Sequence, residues 1–532
     1  MRRFLTTALA LALPFALGGI AECRPATAQK SFSTWNPKNY APGLNGWRTR
    51  VLLSVDDDVR ETGSARRRYR MVGVPDGLGV LRRGRTVRVF MNHEMSTSDS
   101  SQPRVGRPRH RGALVSEWTL DRSGNVISGR RAFDTVYQDN RRVGRAADAS
   151  NHTRPFARFC SAFLAGREVG FDRPIFFANE ESLPASSGPT DSFDRKGSQS
   201  VAIYSRQAHA LSKLGRFPRE NSVVMRGTGS RTVILMTEDG PRTPDSQLYL
   251  YIGRKDRSSR SALRRNGLDN GKLYVFASDD RRDDENALLQ GDSLHGRWKQ
   301  IRHADRMTDR RLEAAADAAG AFGFVRIEDG EFRPGAGREF WFVTTGDQQN
   351  RDEADPHTNE LGRLYRLRFD GTNPLNGARL TQAYSADQLA AGQDGPLSPD
   401  NVTVASRSVL IDEDGTAGPD APNTGTGSTD DLERRNRDGS IWLVPLSSAG
   451  NPATFTRVAE MIGRAQGGWD NLPTLDERGN RAGVWETSGI VGSGQAFGGN
   501  TFLFDVQAHP PTAPPGGRDA TLEDGQLLLL SR

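Results

Sequence analysis

Cysteine is almost absent from this chain: 532 residues contain two, Cys23 in AECRP and Cys160 in RFCSAFL. So few thiols exclude a disulfide framework, and stability has to come from packed elements. Long apolar runs are equally scarce. The clearest, Phe4 to Ile20, falls short of the roughly 20 residues that a membrane-spanning helix needs. Charge of one sign is not segregated either. The 72 Lys+Arg against 65 Asp+Glu give a net charge of +7, yet arginines and acids alternate, as in DRRDDENALL. A nucleic-acid binder concentrates its basic residues in a patch or arm, so this alternation reads as a solvated surface, still able to attract anionic ligands. HExxH, CxxC, P-loop, GxSxG and EF-hand spacings are all missing.

What is present begins with an export pattern. Arg2 and Arg3 precede the apolar run, and small residues surround Ala26 and Ala28. This layout predicts a signal peptide over residues 1–28, cut after Ala28, and a single mature domain over residues 29–532 that is secreted or periplasmic, with no membrane or nucleic-acid partner. Arg2-Arg3-Phe4-Leu5 is a compressed form of a twin-arginine signal. Cys23 does not fit a lipoprotein anchor, because Glu22 precedes it. Once the signal is removed, Cys160 has no intramolecular partner. In an oxidising compartment a lone thiol has to be buried, catalytic or bound to a metal.

Short β-type runs, each closed by a carboxylate, organise the rest: TVRVFMNHE, PIFFANEE, TVILMTEDG, EFWFVTTGD, SVLIDEDG and AGVWETSG. Several are followed by a partner strand, such as QLYLYIGRK, GRLYRLRFD and GSIWLVPL, with Gly, Asp, Asn and Pro supplying turns. The clearest helix, EAAADAAGAF (313–322), sits in a long insertion. The markers Glu94, Glu180, Glu238, Asp347, Glu413 and Glu486 recur at uneven, blade-sized intervals. The expectation is an all-β fold, a six-bladed β-propeller with a helical insertion. Two tandem β-sandwiches or a β-helix are the alternatives.

In a propeller, equivalent strands end at one face near the axis, so these acids would converge. Each alone reads as a turn residue closing a hairpin. Six in corresponding places repel one another and call for cations; hard ions such as calcium prefer carboxylate oxygens. Glu94 and the adjacent pairs Glu180-Glu181 and Glu238-Asp239 are the sharpest candidates. Cys160, as a thiolate among oxygen ligands, would select a softer ion such as iron or zinc; as a small buried apolar side chain it would select nothing. His93 and His152 are further candidate ligands, or hydrogen-bonded structural groups.

RFCSAFL, MTEDG, FVRIEDGEF and LSPDNVTV, together with the NHE and GRLYRLRFD segments, resemble the PhoX-type secreted bacterial alkaline phosphatases over about Asn92 to His509. The resemblance implies a six-bladed propeller with a calcium and iron centre on its axis that hydrolyses phosphomonoesters at alkaline pH; the expected partner is a small-molecule phosphomonoester, and the expected state a monomer. It places the family's cysteine ligand on Cys160, its glutamate ligands on Glu238 and Glu328, and its phosphate-binding arginine on Arg326. Its later metal aspartate falls on Asp400, beside Asn401, or on Asp412. WETSGI and FDVQAH are similar to family members of unassigned activity. A calcium-dependent propeller hydrolase of another class, such as a lactonase or a phytase-like esterase, and a non-catalytic calcium-stabilised binding propeller are the competing readings.

Overall fold

The structure, a computed structural model, describes residues 32–145, 154–183, 189–241, 243–347, 357–390, 393–415, 432, 438–447, 452, 454–461, 485–508 and 523–532. The expected export signal, Cys23 and His152 lie outside the described residues. No described helix is long and apolar enough to cross a membrane.

The fold is mostly β, built from six four-stranded antiparallel meanders. Sheet I comprises Pro75–Arg83, Thr86–His93, Leu114–Asp121 and Val126–Arg131. Sheet II runs Phe159–Ala165, Ile175–Glu180, Ser200–Tyr204 and Gln207–Ala210. It is extended by Thr135–Gln138, which pairs in parallel with Gln207–Ala210. Sheet III runs Arg219–Val224, Arg231–Glu238, Leu248–Arg254 and Lys272–Ser278. Sheet IV runs Ile327–Phe332, Glu339–Thr344, Arg363–Phe369 and Ala378–Ser385. Ser293–Ile301 pairs with the last strands of both III and IV and fuses them into one nine-stranded sheet. Sheet V runs Pro399–Ala405, Ser408–Glu413, Ser440–Pro445 and Thr456–Glu460. Sheet VI joins Glu486–Gly492, Thr501–Ala508 and Asp524–Ser531 to Arg48–Ser54 from the other end of the chain.

The first strand of each sheet touches the first strands of the sheets before and after it, and VI returns to I. Apolar packing follows the same cycle. Phe90 and Phe176 stack between I and II, at 5.2 Å between ring centroids. Ile175 and Phe177 meet Ile234 and Met236 between II and III, and Leu235 and Leu250 meet Phe340 and Phe342 between III and IV. Trp341 and Val343 meet Val402 and Ile411 between IV and V, Leu410 and Ile441 meet Phe504 and Leu528 between V and VI, and Leu503 and Leu527 meet Val89 and Trp118 between VI and I. A strand covered on both faces buries every residue, as Ile175–Glu180 and Glu339–Thr344 do. That is why PIFFANEE and EFWFVTTGD are continuous apolar runs and not alternating ones. The helix spans Asp309–Ala318, starting and ending four residues before the expected 313–322, and packs on Ser293–Ile301.

Candidate metal centre

Strand register brings the site together. The first strand of each sheet enters its ladder through Pro75↔His93, Phe159↔Glu180, Arg219↔Glu238, Ile327↔Thr344, Pro399↔Glu413 and Glu486↔Gln507. The next residues, in equivalent positions, are Asp76, Cys160, Glu220, Glu328, Asp400 and Thr487. In sheets II to V the ladder then breaks: Cys160-Ser161, Glu220-Asn221, Glu328-Asp329 and Asp400-Asn401 each oppose a single residue of the neighbouring strand. Such a bulge frees a residue from pairing and re-aims its side chain. The approach is close enough that a side chain at Gly77 would collide with the Cys160 carbonyl and with Asn92.

Three overlapping groups of ligand atoms result, each within 4.8 Å: Asp76, Glu94 and Cys160; Cys160, Glu181 and Glu220; and Glu220, Glu328 and Asp400. Cys160 Sγ donates to Asp76 Oδ2 at 3.4 Å. The Ser161 hydroxyl lies against Glu220 Oε1 and Asn401 Oδ1, and Asn401 Nδ2 donates to Asp400 Oδ2 at 2.7 Å. Of the residues selected from sequence, Cys160, Glu94, Glu181, Glu328 and Asp400 are brought together, and Asn401 supports Asp400. Asp76 and Glu220 escaped sequence reasoning. Both open a strand, in PDGLG and RENSVV, in the same frame as IEDGEF and PDNVTV.

The strand-end glutamates behave differently, and here the expectation of convergence needs correcting. Glu180 turns into its own sheet and accepts the backbone N–H groups of Ala157 (3.2 Å), Phe193 (3.0 Å) and Gln199 (3.3 Å). Glu413 accepts Leu397 (2.7 Å) and Ser440 (2.9 Å) in the same way, and Glu238 accepts Gln247 (2.9 Å). Glu238 lies toward a separate acidic group, Asp245, Glu313 and Asp317, outside the Cys160 cluster. The residue after each, Glu181, Asp239 or Asp414, is the one beside the cluster. Glu486 begins a first strand and Asp347 lies beyond a second one, so neither is an equivalent of the others. His93 is structural: Nδ1 donates to Gly73 O at 3.0 Å, which leaves Nε2 to accept from Ser116 Oγ at 2.7 Å, and burial pushes its pKa down to about 4. Asp412 is fully buried outside the three groups. Because Glu180 clamps backbone, Glu180→Ala should cost roughly 2–4 kcal/mol of stability through orphaned N–H groups and leave metal content unchanged. Glu181→Ala should orphan no such N–H groups but lose metal, so its stability should fall only as far as its metal content does. Denaturant unfolding with elemental analysis of both variants checks this.

The centre is electrostatically unfinished as protein alone. Burial, with Glu94 as a like-charged neighbour, pushes Asp76 up to about 8. Glu181, Glu220, Glu328 and Asp400 are driven well above the usual carboxylate range, first by burial, and so is the Cys160 thiol. Glu220 Oε2 is buried with no hydrogen-bond partner among the described residues. Against six carboxylates and a thiol stand two guanidiniums. Arg326 pairs Nε and Nη2 with Asp239 (3.0 and 3.1 Å) and Nη2 with Glu328 (3.0 Å). Arg158 pairs with Glu94 (2.7 Å) and Glu181 (3.0 Å). Convergent carboxylates with one thiol and too little positive charge are a donor set that fits polyvalent cations.

Backbone strain gathers at the same rim. Val74, Arg158, Arg326 and Ser398, each two residues before a cluster position, have φ of 52°, 38°, 53° and 44°. Their carbonyls accept the N–H groups of Glu94 (2.8 Å), Glu181 (2.9 Å), Thr345 (3.1 Å) and Asp414 (2.9 Å). One left-handed turn, repeated in four sheets, therefore sets the entry of each first strand. Left-handed non-glycine residues cost on the order of 1–3 kcal/mol each and concentrate at functional sites.

The family description "Alkaline phosphatase PhoX" matches residues 201–466. No curated protein sequence matches the chain. Among solved structures, Pseudomonas fluorescens PhoX in complex with vanadate, a transition state analogue, is similar with a TM-score of 0.59 and 15% identity, over 93% of this chain and 97% of that one. An α-L-arabinofuranosidase from Fusarium graminearum (TM-score 0.35, 10% identity, 89% of this chain and 96% of that one) is more distant. So is a periplasmic gluconolactonase from Pseudomonas aeruginosa (TM-score 0.32, 10% identity, 77% and 96%). The first likeness is one of fold; the other two carry no argument.

Proposed function

The chain belongs to the alkaline phosphatase PhoX family and is accordingly a phosphomonoester hydrolase; from that premise we propose that its reaction takes place at the Cys160 cluster, on the axis of a six-bladed propeller with a helical insertion. The propeller reading rests on six meanders whose first strands touch in a closed cycle. The site reading rests on one observation: five of six equivalent first-strand positions carry an acid or a thiol, and Arg326 stands two residues before one of them. Asp76, Glu94, Glu181, Glu220, Glu328 and Asp400 would hold calcium through oxygen, and Cys160 would add the soft ligand that favours iron. Such ions, when bound, polarise phosphoryl oxygens and offset the charge that builds on them during transfer.

The chain's own part is orientation. Asp239 and Glu328 fix Nε and Nη2 of Arg326 and leave Nη1 as the donor for a phosphoryl oxygen. Arginine's planar fork suits that task because a guanidinium so anchored cannot turn away. Thr345 Oγ1 donates to Glu328 Oε1 at 2.7 Å and holds that carboxylate at the rim. The exported monomer would begin at Gln29.

One sample tests the reading. Protein recovered from outside the cytoplasm without chelator should start at Gln29, contain calcium and iron, and hydrolyse an aryl phosphate at alkaline pH. Calcium without iron, and no turnover of the aryl phosphate, would favour the other hydrolase class or the binding propeller.

A further inference from the structure

Arg158 is the second cation at the rim, and its placement repeats that of Arg326. Each lies two residues before a cluster position, Cys160 or Glu328, in the same left-handed turn, with its carbonyl bonded to the N–H after the neighbouring strand. Each guanidinium spends Nε and Nη2 on two carboxylates. For Arg158 these are Glu94, at 2.9 Å from Nε and 2.7 Å from Nη2, and Glu181, at 3.0 Å from Nη2. Neither Nη1 has a protein partner among the described residues. The turn itself does not demand arginine, since Val74 and Ser398 occupy it in sheets I and V. Nor is Arg158 sealed in as a buried counter-charge: its side chain is 50% exposed, against 22% for Arg326. A half-exposed ion pair adds little to stability. Glu181 and Glu94 hold its charge firmly on.

Resting on the phosphatase reading above, we propose that Arg158 is a second phosphate-contacting residue, offering Nη1 to a phosphoryl oxygen across the Cys160–Glu220–Glu328 arc from Arg326. Two anchored guanidiniums flanking the cluster suit a dianion with three free oxygens. A phosphodiester carries one negative charge and two free oxygens, so once both guanidiniums are served it has no free oxygen left for the cations of the cluster and binds with half the charge. Arg158 would thus contribute to selecting monoesters over diesters.

The test compares the metal-loaded wild type with Arg158→Gln and Arg158→Lys, using p-nitrophenyl phosphate, bis(p-nitrophenyl) phosphate and inorganic phosphate. In Arg158→Gln, KM for the monoester and Ki for inorganic phosphate should rise together by about tenfold or more, the scale of one charge-assisted contact. Diester hydrolysis, calcium and iron content and melting temperature should hold, and Arg158→Lys should recover part of the phosphate affinity. A wild type that is active, with Ki for phosphate unchanged in Arg158→Gln, overturns this proposal alone. So does metal loss parallel to the rise in KM, which would make Arg158 a holder of Glu94 and Glu181. A wild type that neither binds inorganic phosphate, by calorimetry, nor hydrolyses the monoester overturns the phosphatase reading and this proposal with it.

Discussion

On the proposed calcium and iron reading, Cys160→Ser is expected to yield a folded protein that binds no iron and has lost turnover by at least about a hundredfold. The thiol sits at a bulge where Asp76, Glu94, Glu181 and Glu220 all come within ligand distance of one another in two groups that share its sulfur. A serine hydroxyl is neutral and hard where a thiolate is anionic and soft, so the change removes one donor and alters the ion the site prefers. The six interfaces between sheets do not depend on the residue, so the melting temperature of the variant should track its metal content. If Cys160 served only to fill space, at 7% exposure among carboxylates, a nearly isosteric change would shift stability slightly and leave iron in place. Iron per chain, turnover and melting temperature in one preparation decide between these outcomes.

Removing all bound cations should lower the melting temperature by on the order of 10 °C, since ions held only by the native state add their binding free energy to its stability. Without them Asp76, Glu181, Glu220, Glu328 and Asp400 face one another in a buried space with Arg158 and Arg326 as the counter-charges on its rim among the described residues. Glu220 belongs to two of the three groups, so Glu220→Gln should lose more metal than Glu94→Gln, which touches one. A melting curve unmoved after verified removal of calcium and iron would disqualify these acids as ligands.

Much of the architecture was legible in the sequence because strands buried on both faces are continuous apolar runs with sharp ends. PIFFANEE, TVILMTEDG and SVLIDEDG each mark the second strand of a meander. The same sharpness misdirected the search for ligands. A carboxylate after an apolar run stands out, whereas Asp76 and Glu220 precede one, and a bulge that re-aims a side chain leaves no periodic trace. Glu180 and Glu238 fitted the pattern yet serve the backbone, which has N–H groups to satisfy wherever a strand leaves its ladder. Arg158 was hidden for another reason: among so many arginines, what sets it apart is that its guanidinium meets both Glu94 and Glu181, which only the fold brings together. The resemblance selected Cys160, Glu238, Glu328 and Asp400 or Asp412 by company and order; Cys160, Glu328 and Asp400 fall in the cluster, and Glu238 and Asp412 lie outside it.

The pairing of Arg48–Ser54 with Asp524–Ser531 has a consequence for how this protein comes to be assembled. Sheet VI joins Arg48–Ser54 to three strands from Glu486–Ser531, so the cycle of sheets is fastened by a clasp whose two halves are far apart in sequence. Contacts so distant in sequence are slow to form. Asp76, Cys160, Glu220, Glu328 and Asp400 come from five sheets of that cycle, so full cation affinity is expected to appear only once the clasp has shut.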